Sequence, residues 1–417
     1  DSPPKEVSSE ASSNHDIFLL AADGSNEIPL VEHPAHDYVL GWAPDGKRIL
    51  FASDRTGTLD AFLIKITDGK PQGTPELVKT NIGPVRPLGF TKKGSFYYFY
   101  NEGYSDIYTA ELDPQTQATS WGQAKKAIER YEGYNTYGEY SPDGKYLAYV
   151  SKRGLACLGN VFIRTGNVLC VRSLETGKDR ELFPEGLKDF GDPCWSPDSR
   201  FIFVVSAPGN RRGTYRIDTQ TGEVTLVVIL EQNLCPWPQC SSDGKAVFLV
   251  RRDRTKDYCQ IVARDLAGGL EKEIYRAPSG EIIWELSRSP DGQWLAFSVN
   301  STDTTTQKYT SVLKVIPVTG GEPRELYKGA AIWSRTWTAD GKNIFFCSRP
   351  ERENDGEPYK WDLWRVPAAG GESQKIGLDG LSWHLSAHPD GRRIALDLTS
   401  THTYNFAGIW AMENFLP

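Results

Sequence analysis

A short turn recurs eight times along the chain, and its spacing constrains the fold more than any other feature. It reads Trp-Ala-Pro-Asp-Gly at 42–46, Phe-Thr-Lys-Lys-Gly at 90–94, Tyr-Ser-Pro-Asp-Gly at 140–144 and Trp-Ser-Pro-Asp-Ser at 195–199. It returns as Cys-Ser-Ser-Asp-Gly at 240–244, Arg-Ser-Pro-Asp-Gly at 288–292, Trp-Thr-Ala-Asp-Gly at 337–341 and Ala-His-Pro-Asp-Gly at 387–391. The fourth residues stand at 45, 93, 143, 198, 243, 291, 340 and 390, so the gaps are 48, 50, 55, 45, 48, 49 and 50. A fixed period of this size is the mark of a repeat architecture. Pro presets the backbone of the turn, Asp caps it, and Gly takes the positive φ that closes a hairpin.

Each turn is followed by a short apolar run, such as Arg48–Ser53 (RILFAS), Tyr146–Ser151 (YLAYVS), Phe201–Ser206 (FIFVVS) and Arg393–Leu398 (RIALDL). These runs are β-branched and aromatic, too short for helices and bounded by turn residues, so they read as buried strands. A further strand follows a variable loop: Asp106–Glu111, Asp362–Val366 and Gly408–Met412. A Gly-rich turn such as Thr319-Gly320-Gly321 then leads into a fourth strand. One four-stranded antiparallel unit per repeat is a propeller blade, and eight turns predict an all-β, eight-bladed propeller spanning 16–417 as a single domain. Asp16–Leu20 and Glu27–Val31 match the second half of a repeat. A ring leaves no open edge when one blade takes strands from both termini, so the N-terminal segment is expected to complete the blade begun at Leu381. Gly408–Met412 already resembles the third strand of that blade, so one strand is supplied twice.

Residues 1–15 are polar, Pro- and Ser-rich and without periodicity, and read as a disordered leader or tether. Such a start is what remains after a signal or lipid-anchor segment is removed, which predicts a periplasmic or secreted protein; a linker from an upstream domain fits equally. The formal net charge of −7, with both signs interspersed, argues against a nucleic-acid binder. No run approaches the length of a membrane span. Seven Cys is an odd number; Cys157 and Cys170 flank a loop and are candidates for a bridge, whereas Cys194, Cys240, Cys259 and Cys347 read as small core residues.

The turn, the strand after it and the Asp-Ile-Tyr or Asp-Leu-Trp strand resemble the TolB/tricorn-type, WD40-like β-propeller repeat, over residues 16–417. The resemblance implies the fold and little of the function. It implies six repeats where eight are found here, and no Gly-x-Ser-x-Gly elbow follows from which peptidase activity would be carried over. Members include the periplasmic TolB, the gating rings of tricorn protease and propellers preceding dipeptidyl-peptidase-type hydrolases.

In propellers of this kind the innermost strand precedes the turn and lines a channel. The residue six before each turn's fourth position is Val39, Pro87, Tyr137, Asp192, Trp237, Glu285, Ser334 or His384. The residue four before is Gly41, Gly89, Glu139, Cys194, Gln239, Ser287, Thr336 or Ser386. Strand period two puts both sets on one side, which is expected to face the channel with the first set at its mouth. Tyr137, Asp192, Trp237, Glu285 and His384 there, with Arg335 for a carboxylate, form a candidate site for a polar ligand; the plain alternative is a solvated lining. Ring closure would gather His33, His36, Asp37, His384 and His402 at one seam, as ligands for a divalent metal or, with Tyr404, as catalytic groups. Loop histidines are more often only solvated. Trp284, Trp333 and Trp383 read as packing between blades, with carbohydrate stacking as the sharper alternative.

Three functions follow. The first is a non-enzymatic binding or scaffolding propeller outside the cytoplasm, with a protein partner or an oligosaccharide or peptide ligand at one face. The second is a carbohydrate-active enzyme of polysaccharide-lyase type. The third is a peptide-handling accessory domain.

Overall fold

The computed structural model describes residues 16–56, 58–83, 85–101, 105–113, 119, 124–129, 135–152, 155–158, 161–164, 167–184, 186–187, 190–208, 212–230, 237–253, 258–302, 309–349, 361–379, 381–399 and 407–416. The proposed leader, His402 and Tyr404 lie outside them. Every regular element among the described residues is a strand. The chain divides into two compact units, a smaller one of 1–102, 154–165 and 405–417 and a larger one of 103–153 and 166–404.

Each of the eight turns joins the first two strands of a sheet, and five of them, those with Ser141, Ser196, Ser241, Ser289 or Thr338, share one local chemistry. In the turn at 140–144, Ser141 Oγ donates to Asp143 Oδ1 at 2.6 Å and accepts the Tyr146 N–H at 2.9 Å, while Asp143 Oδ1 accepts the Lys145 N–H at 3.0 Å. The same three bonds recur at Ser241–Asp243 and Thr338–Asp340. Gly144 closes the turn at φ 69°. Side chains thus satisfy the backbone groups that a tight turn leaves over.

The larger unit holds six four-stranded antiparallel sheets. Five are consecutive in sequence, with inner strands Asn135–Tyr140, Gly191–Trp195, Gln239–Cys240, Ile282–Arg288 and Ala331–Trp337. The sixth joins Leu381–Ala387 and Arg393–Thr399 to Ser105–Glu111 and Lys125–Lys126, from the other end of the unit. Period-two alternation makes each sheet apolar on both faces. Along Phe201–Ser206, Ile202 and Val204 face one neighbouring sheet and Phe203 and Val205 the other. Five cores lie between successive sheets. A sixth, of Ile107, Ile128, Tyr140, Leu147, Tyr149, Cys170 and Ala395, lies between the last sheet and the first.

The smaller unit contains the four-stranded sheet Asp37–Trp42, Arg48–Ser53, Asp60–Thr67 and Lys70–Lys79, and a three-stranded sheet in which Ala407–Met412 pairs with Phe96–Asn101 beside Val85–Phe90. Two hairpins, Ile17–Leu20 with Glu27–Val31 and Leu155–Leu158 with Val161–Arg164, complete it.

Of the eight turn-bearing sheets, six fall in the larger unit and two in the smaller. Two expectations are corrected here. The N-terminal strands pair with each other and do not complete the sheet begun at Leu381, whose outer strands are Ser105–Glu111 and Lys125–Lys126. The segment at 408–412 is not the third strand of that sheet; it pairs with Phe96–Asn101. The second and eighth repeats have in effect exchanged their outer strands. Pairing at these positions is decided by which core accepts the strand's apolar face, and Ile107, fully buried, fills the sixth core. Cys170 is buried, and the side chain of Cys157, its candidate partner for a bridge, lies outside the described residues.

Candidate functional site

The site is built where the inner strands of the larger unit begin. In five of its six sheets the residue six before the turn position is non-Gly with positive φ: Tyr137 (59°), Asp192 (48°), Trp237 (23°), Glu285 (44°) and Ser334 (38°). Strand register breaks at or beside these residues in four of the sheets and again at Ser382/Leu385 in the sixth, so a bulge is part of the repeat. Left-handed backbone costs an L residue about 1–2 kcal/mol. Strain repeated around one opening marks it as a place where side-chain direction matters more than local stability.

The bulges turn side chains into a cavity of about 470 Å³. Tyr137, Asp192, Trp237 and Glu285, all expected at the mouth, line it, together with Thr136, Trp284, Trp333 and Arg335 from the same strands. Ser105, Asn300, Tyr309 and Asp397 complete the wall from second and third strands. Asp192, Trp237, Glu285 and Arg335 also border a narrower space of about 50 Å³, which Glu139, Gln239, Ser287, Thr336 and His384 line. Of the two sets expected to face a channel, Tyr137, Asp192, Trp237, Glu285, His384, Glu139, Gln239, Ser287 and Thr336 line these two spaces, whereas Ser334, Cys194 and Ser386 are buried and line neither.

Aromatic rings form a continuous row along the wall. Trp237 and Trp284 lie 5.1 Å apart between centroids, Trp284 and Trp333 5.8 Å, and Trp333 meets Trp361 edge-on at 6.0 Å. Trp284 and Trp333, read mainly as packing between sheets, thus also present a face to the cavity. The side chain of Trp383 lies outside the described residues.

Arg335 is the structural centre of the site. Its side chain is only 1 % exposed, and one terminal nitrogen donates to the carbonyls of Trp284 and Glu285, each at 2.7 Å. The other donates to Ser298 Oγ at 2.8 Å and stands 3.5 Å from Glu285 Oε2. It holds the bulge of the neighbouring sheet, so most of its donors are already committed. Asp397, only 1 % exposed, acts similarly by accepting the Tyr137 N–H at 3.2 Å.

The carboxylates of the cavity are under-compensated. Burial pushes Glu285 up to about 7, opposed by Arg335 and reinforced by Asp192 and Asp397. Burial pushes Asp192 up to about 6, opposed by Arg212. The charge of Asp192, and then burial, raise the Tyr137 phenol well above its ordinary range. Asp192 and Asp397 thus lie within electrostatic reach of Glu285.

In the narrower space, His384 Nε2 lies 3.7 Å from Glu139 Oε2. Their side chains keep 18 % and 29 % of their surface open. Burial raises Glu139 to about 8 against the Ser386 hydrogen bond, and lowers His384 to about 4 against the Gly138 backbone hydrogen bond. The His384 ring meets Tyr137 edge-on at 6.0 Å.

Of the expected histidine seam, His402 and Tyr404 lie outside the described residues. His384 faces the sheet of the third repeat through Tyr137 and Glu139. His33, His36 and Asp37 belong to the smaller unit, where Asp37 is paired with Arg55 at 2.8 Å. Among the described residues no group of three or more His, Cys, Asp or Glu is placed to hold a metal ion. His388, within the last turn, donates from Nε2 to Gly144 O, 3.0 Å away, joining the last turn to that of the first sheet. Sequence reasoning missed Asp397, Ser105, Thr136, Asn300 and Tyr309. Asp397 carried a signal, since a lone acid inside the apolar run Arg393–Leu398 needs a buried partner.

No family model matches the chain. The "uncharacterized peptidase YuxL" of Bacillus subtilis is 30 % identical over 178 residues, which is 42 % of this chain and 23 % of that protein. The Tol-Pal system protein TolB of Francisella tularensis subsp. holarctica is 23 % identical over 259 residues, 62 % of this chain and 57 % of TolB. The chain thus spans less than two thirds of the length of the curated relatives it matches. The structure assigned to TolB from Agrobacterium tumefaciens superimposes with a TM-score of 0.54 at 18 % identity, over 71 % of this chain and 98 % of that one. This likeness shows a β-propeller-type fold. The repeat is of the TolB type, consistent with a TolB-like propeller family.

Proposed function

We propose that this chain is a TolB-like binding propeller, a scaffold or sensor acting outside the cytoplasm, and that it takes its ligand at the mouth of the larger unit. The six sheets of that unit read as six blades closed through Ser105–Glu111, whose sheet shares a core with the first. One observation carries the functional reading: a cavity of about 470 Å³ at the strained bulges, with an indole row and converging carboxylates, of the size that encloses a small molecule. A protein partner engaging the same face with a projecting side chain or terminus fits that geometry too. The extracytoplasmic placement rests on the TolB-type repeat alone.

A thermal-shift screen of the whole protein against peptides, neutral and acidic oligosaccharides and amines tests it. Ligand at a hundred times its dissociation constant stabilises the fold by about 2.7 kcal/mol. The shift should shrink when Trp284→Ala removes part of the wall. A hit indifferent to Trp284→Ala would move the binding site elsewhere.

A second reading, proton-transfer chemistry on a bound ligand, is favoured by the His384–Glu139 pair. Burial favours the neutral form of each, so one proton can pass between them across a short gap. Acidic polysaccharides would meet the carboxylates of the mouth, which disfavours a lyase for such substrates at this place.

A further inference from the structure

Three observations at the mouth cavity specify a ligand chemistry. It rests on the reading of that cavity as the ligand site and names what enters it. The first observation is charge. Asp192, Glu285 and Asp397 line the cavity, and Arg335 is the only cation among its described lining residues. Arg335 is occupied by two backbone carbonyls and Ser298, so it neutralises at most the Glu285 carboxylate it faces.

The second observation is an unmet hydrogen-bonding demand. Thr136 and Ser105 are 8 % and 6 % exposed, both line the cavity, and neither hydroxyl has a hydrogen-bond partner among the described residues. Glu285 Oε2 is a buried acceptor in the same condition. Buried polar groups are nearly always satisfied, so a group that enters the cavity is expected to satisfy these. The third observation is the indole row of Trp237, Trp284 and Trp333, whose faces attract a cation as well as an apolar body.

We propose that the mouth cavity receives a small organic cation, its ammonium group held among Asp192, Glu285 and Asp397 and its body laid against Trp237, Trp284 and Trp333. Its three N–H groups donate to the Glu285 and Asp192 carboxylates and to one of the hydroxyls of Thr136 and Ser105. A bare metal ion fits less well, because no three acidic or His/Cys groups among the described residues are placed to hold one. An ammonium needs no closed shell of ligands, since its charge is stabilised also by acids beyond hydrogen-bond distance. An anionic ligand would add to the repulsion that Asp192 and Asp397 already exert on Glu285.

The test uses the whole protein and isothermal titration at about pH 8, where the acids are ionised and an alkylamine is still protonated. The probes are 2-phenylethylamine, its neutral analogue 2-phenylethanol, the anion 3-phenylpropionate, and calcium chloride. The amine should bind at least about tenfold more tightly than the alcohol, and the anion least. Glu285→Gln and Asp192→Asn should each weaken the amine by about fivefold or more and leave the alcohol unchanged, with melting temperature as the check on folding. Amine affinity should fall between about pH 8 and pH 5 as Glu285 and Asp192 take up protons among Tyr137, Asp397, Arg335 and Arg212.

The alcohol, the anion or calcium binding as tightly as the amine would overturn the proposal while leaving the cavity a ligand site. Failure of every probe, together with failure of the peptide and oligosaccharide panel, would overturn the site itself. Amine binding untouched by both acid substitutions would also sink it.

Discussion

At the scale of single residues, the site is held together by groups that belong to no local motif. Arg335 binds the bulge of the adjacent sheet through two carbonyls and a hydroxyl, with Glu285 as its only facing carboxylate. Arg335→Met should destabilise the larger unit by about 3–5 kcal/mol, because it strands a buried acid and two carbonyls. Adding Glu285→Gln to Arg335→Met should recover part of that loss. Urea denaturation of the two variants checks both statements, and a double variant no more stable than the single would contradict the pairing. The positions that line the mouth were legible as a count of six back from each turn, since the bulge recurs with the repeat. What each side chain touches was not legible, because Ser105, Asn300, Tyr309 and Asp397 reach the cavity from strands whose order around the sheets no local pattern encodes.

At the scale of elements, neighbouring sheets are stitched by the turn motif itself. The Trp that opens a turn donates its indole N–H to the preceding sheet, Trp195 to Glu139 O and Trp337 to Ser287 O, each at 3.0 Å. Trp195→Phe should therefore cost about 1 kcal/mol beyond any change in packing, measurable by chemical denaturation. A positive-φ glycine in the last element of a turn is tolerant or intolerant according to its neighbour. A Cβ on Gly144 would stand 3.0 Å from His388 Cε1, whereas one on Gly46 meets nothing within 4 Å. Gly46→Ala should cost only the backbone strain, about 1 kcal/mol, and Gly144→Ala more, since it also displaces the bond from His388 to Gly144 O. Equal melting temperatures for the two variants would refute that difference.

At the scale of the whole molecule, the buried acids predict how stability follows pH. Glu139 is raised from 4.5 to about 8, Glu285 from 4.5 to about 7 and Asp192 from 3.8 to about 6, so the folded state holds protons that the unfolded chain has released. Their contribution is full below the unfolded values and is lost as pH rises through the folded ones. His384 acts with the opposite sign, since its fall from 6.5 to about 4 makes the fold lose stability as pH drops through that window. Below pH 6.5 the two trends oppose each other; between 6.5 and 8 only the acids act. Stability should therefore decline from pH 6.5 to 8, by no more than about 1.4 kcal/mol per pH unit for each proton. Glu139→Gln should flatten the upper part of that decline in denaturation series at the two pH values.

The division between sequence and tertiary structure follows the range of the forces involved. Eight turns, the buried strand after each and the channel-facing positions are set by residues within about ten of one another, where backbone geometry and alternation decide, so the sequence alone determined them. Which outer strand completes which sheet is set by distant contacts. Ser105–Glu111 pairs with Arg393–Thr399 nearly three hundred residues away, and Ala407–Met412 with Phe96–Asn101. Both outer strands are short and apolar on alternate residues, so either satisfies the local pattern. Only the packing of Ile107 into the core shared with Tyr140 and Leu147, and of Met412 into the core of the smaller unit, distinguishes them. That choice put six sheets in one unit and two in the other, and it brought Ser105 to the wall of the cavity.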